Sequence, residues 1–373
     1  MTVRSALPPV VCFSNLDWGY LRYRKQHLMA RLGRRCPVVY VNPPRAAKWR
    51  HLGRAQRFST PEPGVLVFEP PVLPGIRRHA TLREWNYRVI ARMIRARLEV
   101  DRRRVVWLYS PHALGFITLL DADFVVYDIA DDYTVPSGRH VRNDDERHEL
   151  TQLSRLEPQV LRRANLILCV SEPLMAKARA AGCDAVLVPN GCDIDRHPDP
   201  PAAGPAPTRP RIGYVGTIAP RIDLDLIAQV AAARPDWDVV LVGPVTPGTT
   251  VPAHLPPNLS LAGAVAYEQV PAMIASFDVA VLPLKEIPFA VKSSPIQVYD
   301  YLAAGKAVVS TPVTQFEHLG DLIRIASGPA EFISAVETAL QERTEAHVRA
   351  RRSFARANSW EARVDQIAGL IDV

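Results

Sequence analysis

Short apolar runs alternate with longer amphipathic ones in two stretches of this chain, and a proline-rich segment parts them. That pattern constrains the fold more than any other feature. In the second stretch, residues 212–216, 238–242, 258–262, 279–284, 307–310 and 322–325 read as strands, and 224–233, 267–277, 295–304 and 330–340 as helices. In the first, 10–14, 38–41, 105–109, 125–128 and 166–170 read as strands, with a helix over 24–32. Strands separated by helices predict a parallel sheet covered on both faces. Between the stretches, His197-Pro-Asp-Pro-Pro-Ala-Ala-Gly-Pro-Ala-Pro-Thr-Arg-Pro210 has no apolar periodicity and is stiffened by proline, the composition of a linker. The expected organisation is an α/β domain over 1–197, a hinge over 198–210, a second α/β domain over 211–350 and a C-terminal helical segment over 351–373. Open parallel sheets bind ligands beyond the carboxyl ends of their strands. Two such sheets joined by a hinge are therefore expected to face a common cleft, with function in the loops that follow strands.

Bulk properties exclude several classes. A length of 373 residues, 48% hydrophobic and 22% charged, suits two soluble domains. No apolar run approaches the roughly 18 residues of a membrane span, and the N-terminus lacks the basic and apolar regions of a secretory signal. Five cysteines, odd in number and without a Cys-x-x-Cys pair, point to a reducing, cytoplasmic setting rather than a disulfide frame or structural zinc. The net charge of +7 is almost all arginine, beside only six lysines in a chain rich in Ala and Pro. It reads as coding bias, and no motif supports a nucleic-acid partner.

One strand-end loop carries the clearest chemistry. In Lys292-Ser-Ser-Pro-Ile-Gln-Val-Tyr-Asp-Tyr-Leu-Ala-Ala-Gly-Lys306, Ser294 reads as an N-cap and Pro295 as the first helical residue. Free N–H groups at such a helix start suit a diphosphate, with Ser293 and Lys292 beside it. Asp300, between one and two turns inside, could accept hydrogen bonds from ribose hydroxyls. An ordinary capped helix with a solvated Asp fits the same residues.

This region resembles the donor-binding signature of the GT-B glycosyltransferases of family 4, especially a bacterial group 1 branch with Pro-x-Lys-x-x-Glu-Tyr-Leu-Ala-x-Gly-Lys-Pro-Val-Val. Here it stands as Pro295-Ile-Gln-Val-Tyr-Asp-Tyr-Leu-Ala-Ala-Gly-Lys-Ala-Val-Val309. Val186-Leu-Val-Pro-Asn-Gly-Cys-Asp193, Ile212-Gly-Tyr-Val-Gly-Thr217, Asn165 to Glu172 and Val126-Tyr-Asp-Ile-Ala-Asp-Asp132 resemble further family segments in order and spacing. The resemblance implies a GT-B fold of two Rossmann-like domains facing a central cleft. It also implies retaining transfer from a nucleotide-diphosphate sugar (UDP-, GDP- or dTDP-linked), without a metal or other cofactor. Many members carry two glutamates eight positions apart. Asp300 stands at the second position and Lys292 at the first, and Gln297 replaces the branch's usual lysine. Arg221, after Gly216-Thr217, resembles the family's basic reach toward the diphosphate; a surface arginine at a helix start is the alternative.

On the other side, Gly19 resembles the family's glycine near the leaving phosphate, and His112 its cleft histidine. Asp128, Asp131 and Asp132 end a strand in succession, where the three carboxylates could bind acceptor hydroxyls or a cationic amino sugar, with Asp131 and Asp132 as catalytic candidates beside His112, or merely cap a helix and be solvated. Thr81-Leu-Arg-Glu84 reads as a capping box opening a helix to Leu98. Leu82, Trp85, Val89 and Met93 line one face of that helix, and Arg88, Arg92 and Arg95 another. Such a helix could pack ordinarily or rest peripherally on an anionic membrane. The acceptor is unidentified. A GT-B sugar-nucleotide epimerase and a non-catalytic nucleotide-sugar-binding relative are the rival readings, the second because the glutamate at position 292 is missing.

Overall fold

The protein is described here by a computed structural model covering residues 7–44, 57–72, 80–98, 103–136, 141, 143–199, 207–313 and 316–371. The chain divides into two compact units. Unit 1 comprises Met1–Thr134, Arg147–Val188 and Arg363–Val373, and unit 2 comprises Val135–Glu146 and Pro189–Ala362. Most of the proline-rich hinge, 200–206, lies outside the described residues.

Unit 1 runs β1 (Val10–Phe13), α1 (Arg24–Gly33), β2 (Val38–Val41), β3 (Phe58–Glu62), β4 (Val65–Phe68), α2 (Ala80–Arg95), β5 (Val105–Leu108), α3 (Gly115–Leu119), β6 (Phe124–Ile129), α4 (Asp144–Arg163), β7 (Leu166–Cys169), α5 (Glu172–Ala180) and β8 (Val186–Leu187). Its eight strands lie in the order β3-β4-β2-β1-β5-β6-β7-β8, parallel except for the β3–β4 hairpin. β1, β2, β5 and β7 are buried at every position, as strands covered on both faces must be. The sequence pattern missed the β3–β4 hairpin because Phe58-Ser-Thr-Pro-Glu62 is mostly exposed and carries no apolar run. α2 begins at Ala80, so Thr81 lies inside the helix instead of capping it. Its core contacts come from Ile90, Ala91 and Ile94; of the apolar stripe read from sequence, Leu82, Val89 and Met93 are half-buried and Trp85 is exposed.

Unit 2 runs β9 (Arg211–Val215), α6 (Leu224–Ala233), β10 (Asp238–Val242), β11 (Leu259–Gly263), α7 (Val270–Ala275), β12 (Val279–Leu282), α8 (Pro288–Val291), α9 (Ile296–Ala303), β13 (Ala307–Ser310), β14 (Ile323–Ile325), α10 (Gly328–Ala339), α11 (Glu345–Ala357) and α12 (Trp360–Ile371), the last of which ends in unit 1. The strand order β11-β10-β9-β12-β13-β14 is all parallel. Counted within the unit this is 3-2-1-4-5-6, the Rossmann order, whose direction reverses between β9 and β12. The same reversal lies between β1 and β5 in unit 1. Among the described residues, no helix is long and apolar enough to cross a membrane.

The cysteines report on this packing. Cys12, Cys36, Cys169 and Cys192 are buried and Cys183 is half-buried. Burial pushes the Cys36 thiol up to about 11 and the Cys169 thiol to about 12, and raises Cys12 as well. Since only the thiolate reacts, a colorimetric thiol titration at pH 8 is expected to find Cys183 alone in the native protein and all five cysteines in guanidinium. Rapid reaction of a second thiol in the native state would show that a core opens locally.

Candidate functional site

In unit 2 the reversal between β9 and β12 is framed by two loops that bond to each other. The Lys285 N–H donates to the Arg221 carbonyl at 2.7 Å, and the Asp223 N–H to the Pro283 carbonyl at 2.7 Å. Ile222 and Leu284 form an antiparallel bridge and are both buried. This apolar clasp brings Arg221 and Lys285 side by side at the carboxyl ends of their strands, both half-buried. The Arg221 side chain makes no hydrogen bond or ion pair among the described residues, whereas Lys285 lies 3.8 Å from Asp225. Sequence reasoning missed Lys285. Its signal was its place directly after the buried run Val279 to Leu284, where a strand-end loop had to begin.

Two glycines make room on the neighbouring strand ends. Gly216 has φ 152°, and a Cβ there would strike the Gln297 amide and the Tyr214 hydroxyl. Gly243 has φ 147°, and a Cβ there would run into the Gly216 carbonyl. The Gln297 Nε2 donates to the Tyr214 Oη at 3.4 Å, and the Tyr301 Oη accepts the Val215 N–H at 2.8 Å. α9 is thereby held against the end of β9 by its own side chains.

α9 starts one residue later than the sequence suggested. Pro295, in an extended conformation (φ −61°, ψ 118°), is the N-cap, so Ser294 does not cap the helix and Pro295 is not its first residue. The serines are employed differently. Ser293 Oγ donates to the Ala290 carbonyl at 2.8 Å, closing α8, and the Ser294 carbonyl accepts from Asn190 Nδ2 at 2.6 Å. That second bond unites two segments far apart in sequence, Pro189-Asn-Gly191 and the donor-signature loop. Lys292, half-buried, follows the end of α8. At the far end of α9, Gly305 takes φ 73° and its N–H bonds the Leu302 carbonyl, a conformation for which glycine is the usual choice.

Asp300 occupies the fifth position of α9 and is 28% exposed. Its carboxylate faces a residue absent from the sequence reading. His197, buried, places Nε2 3.7 Å from Asp300 Oδ1, and its Nδ1 has no hydrogen-bond partner among the described residues. Tyr267 is pushed up to about 12, by burial first and then by the Asp300 charge. The Arg196 guanidinium covers the Tyr267 ring at 3.7 Å. Arg352 of α11 donates to the carbonyls of His197, Pro198 and Ala303 and pairs with Asp199 at 2.8 Å. Composition assigned His197 to the linker, but these bonds pin it to the end of α9.

In unit 1, the carboxyl end of β6 carries a buried charge cluster. Arg24 Nε donates to both Asp128 oxygens at 3.1 Å, and both residues are almost wholly buried. Lys25 is buried too; it donates to Tyr133 Oη at 3.3 Å and lies 5.0 Å over the Tyr109 ring. Burial pulls its ammonium below the ordinary lysine value, opposed by Asp131 and Asp128. Asp131, half-buried, accepts from Tyr133 Oη at 3.2 Å. Asp132 is buried and takes Lys177 at 2.7 Å and the Thr134 hydroxyl at 2.6 Å, while Lys177 also pairs with Glu157. Of the three acids, Asp128 and Asp132 are engaged in the core, and Asp131 is the one left at its margin. His112 is half-exposed and pairs through Nε2 with Glu149 at 2.8 Å. Gly19 is exposed, and a methyl group there would meet nothing within 4 Å.

Comparison with known proteins agrees with this architecture. The profile of the family described as glycosyl transferases group 1 matches residues 209–342. A Bacillus subtilis (strain 168) protein, TuaH, which bears the name of a teichuronic acid biosynthesis glycosyltransferase, is 29% identical over 286 residues, 71% of either chain. Sucrose-phosphate synthase from Thermosynechococcus elongatus superposes with a TM-score of 0.74 at 15% identity, covering 97% of this chain and 98% of that one. Anabaena Alr3699/HepE, solved in complex with UDP-glucose, gives 0.67 at 13% identity, covering 98% and 99%.

Proposed function

We propose that this chain, which has the GT-B fold and carries a group 1 glycosyltransferase domain, transfers a sugar with retention from a UDP-linked donor to a hydroxyl acceptor, without a metal. The observation that carries the reading is the polarised rim of unit 2. Cationic Arg221 and Lys285 follow the strand ends at the β9–β12 reversal, Lys292 follows α8, and carboxylate Asp300 stands on α9 beside buried His197. Uridine is preferred over guanosine and thymidine because HepE was solved with UDP-glucose.

In this reading Asp300 accepts hydrogen bonds from the ribose hydroxyls, and the cations meet the diphosphate, an arrangement favoured by the fork geometry of arginine. As the bond from the sugar's anomeric carbon to the diphosphate oxygen breaks, negative charge grows on the leaving group. Fixed positive groups stabilise that charge more than they stabilise the ground state. The acceptor oxygen attacks from the same face, and its proton passes to the departing diphosphate. Asp131, with Lys25 and Tyr133 behind it, is the acceptor-side carboxylate.

Thermal-shift and calorimetric titration with UDP, GDP and dTDP tests the donor. UDP is expected to bind tightest, and Asp300→Ala to lose about 1.5–3 kcal/mol for each charge-assisted hydrogen bond removed, roughly tenfold or more in affinity. Undiminished UDP binding by Asp300→Ala would overturn the ribose assignment. Donor turnover at full rate without any acceptor would favour an epimerase instead.

A further inference from the structure

α3 of unit 1 has five residues, whereas its neighbours α2 and α4 have sixteen and twenty. A helix so short cannot fill the layer between two long ones. The space left is a cavity of about 490 Å3, within the range of small-molecule sites.

Its lining is of two kinds. Tyr87 of α2, Leu114 before α3 and Leu156 of α4, each half-buried, supply apolar and aromatic surface. Burial raises the Tyr87 hydroxyl above its ordinary value, so the ring enters the site neutral. Arg83, Arg155 and Arg163 supply positive charge from both flanking helices. None of the three forms an ion pair among the described residues, although arginines elsewhere on the same helices and loops do: Arg88 pairs with Glu84 and Arg95 with Asp121. Among the described residues, the only bond made by one of their guanidinium groups is a long one, from Arg163 to the Thr118 hydroxyl at 3.5 Å. No carboxylate lines the cavity among the described residues; the acids next to its wall in sequence, Glu84 and Glu157, pair with Arg88 and Lys177, and Glu149 pairs with His112. His112 itself lines the cavity, just past the end of β5, so one end lies near the β1–β5 reversal.

We propose that this groove binds a phosphate ester: its phosphate held by Arg83, Arg155 and Arg163, its organic part lying on Tyr87, Leu114 and Leu156. Guanidinium groups bind phosphate through paired, charge-assisted hydrogen bonds, and three without carboxylate partners leave a net positive rim that a neutral sugar would not use. The apolar floor excludes a bare anion as the best ligand. The site lies wholly within unit 1 and does not depend on the donor assignment in unit 2.

Phenyl phosphate is the probe, because it joins the two chemistries the groove offers. Calorimetric titration is expected to show saturable binding, tighter than for inorganic phosphate. Binding should persist in Arg221→Ala/Lys292→Ala, whose donor side is disabled, and fall roughly tenfold or more in Arg83→Gln/Arg155→Gln. Arg83→Lys/Arg155→Lys should recover part of it. Arg155 is exposed and Arg83, half-buried, forms no ion pair or side-chain hydrogen bond among the described residues, so these variants should keep the wild-type circular dichroism and melting point, and Arg163→Gln at another exposed position provides a milder check. A second arm uses sedimentation with phosphatidylcholine vesicles, with and without phosphatidylglycerol. Binding only to the anionic vesicles, competed by phenyl phosphate and lost in Arg83→Gln/Arg155→Gln, would place the phosphate on a lipid headgroup. Binding of phenyl phosphate without vesicle binding would make the ligand a soluble ester. Absence of saturable binding to either probe, or binding that both the double variant and Arg163→Gln leave unchanged, overturns the proposal.

Discussion

Replacing Asp128 by alanine is expected to destabilise unit 1 by about 3–5 kcal/mol, the range for removing one partner of a buried ion pair. Asp128 is fully buried and receives the Arg24 guanidinium at both oxygens, and its charge also raises the affinity of buried Lys25 for its proton. Without it, two cations remain in an interior that compensates neither fully. Chemical denaturation at neutral pH measures the loss. The pH dependence gives the sign independently. Lys25 has a folded-state value below that of the unfolded chain, so between the two values the unfolded state binds more protons and stability rises with pH. Removing Asp128 lowers the folded value further and moves the start of that rise to lower pH. The gap between variant and wild type should therefore be widest near neutrality and narrow in the alkaline range. A loss below about 1 kcal/mol, or one independent of pH, would mean that water reaches the cluster and screens it.

Arg221→Ala is expected to lower kcat by roughly 10²–10³-fold, the cost of deleting one preorganised donor to a developing oxyanion. KM for the donor should change much less, because the interaction strengthens as the leaving group gains charge. The half-buried guanidinium makes no hydrogen bond or ion pair among the described residues, so its removal breaks nothing in the fold there. Lys285→Ala should give a smaller loss in the same direction, since Lys285 is already near Asp225. Steady-state kinetics with excess EDTA carries the comparison. Obligatory magnesium or manganese, or an Arg221→Ala enzyme with unchanged kcat, would overturn this account of leaving-group stabilisation.

Much of this architecture was legible in the amino-acid order because it depends on local regularities. Val279 to Leu284 is an unbroken apolar run, and a strand buried on both faces needs nothing else to declare itself. Asp300 could be singled out from its place inside the helix that follows a strand-end loop, whereas Arg221, in the turn between β9 and α6, was singled out only by its resemblance to the family's basic position after Gly216-Thr217. Ser294 and Pro295 were placed one position early, because an extended Pro295 and a serine capping a helix leave nearly the same trace in sequence.

Other features belong to tertiary structure alone. Sheet order was decided by which apolar faces could be covered together, and it is the order that brings Arg221 and Lys285 to one rim. His197 sits in a proline-rich segment whose composition says linker; only the bonds from Arg352, more than 150 residues away, fix it beside Asp300. The three acids after β6 look equivalent as letters. Burial and partners separate them: Arg24 takes Asp128, Lys177 takes Asp132, and Asp131 remains at the margin. Those pairings span between 45 and 104 positions of chain. A buried charge must find its counter-charge wherever the fold places one, so no local pattern could have announced them.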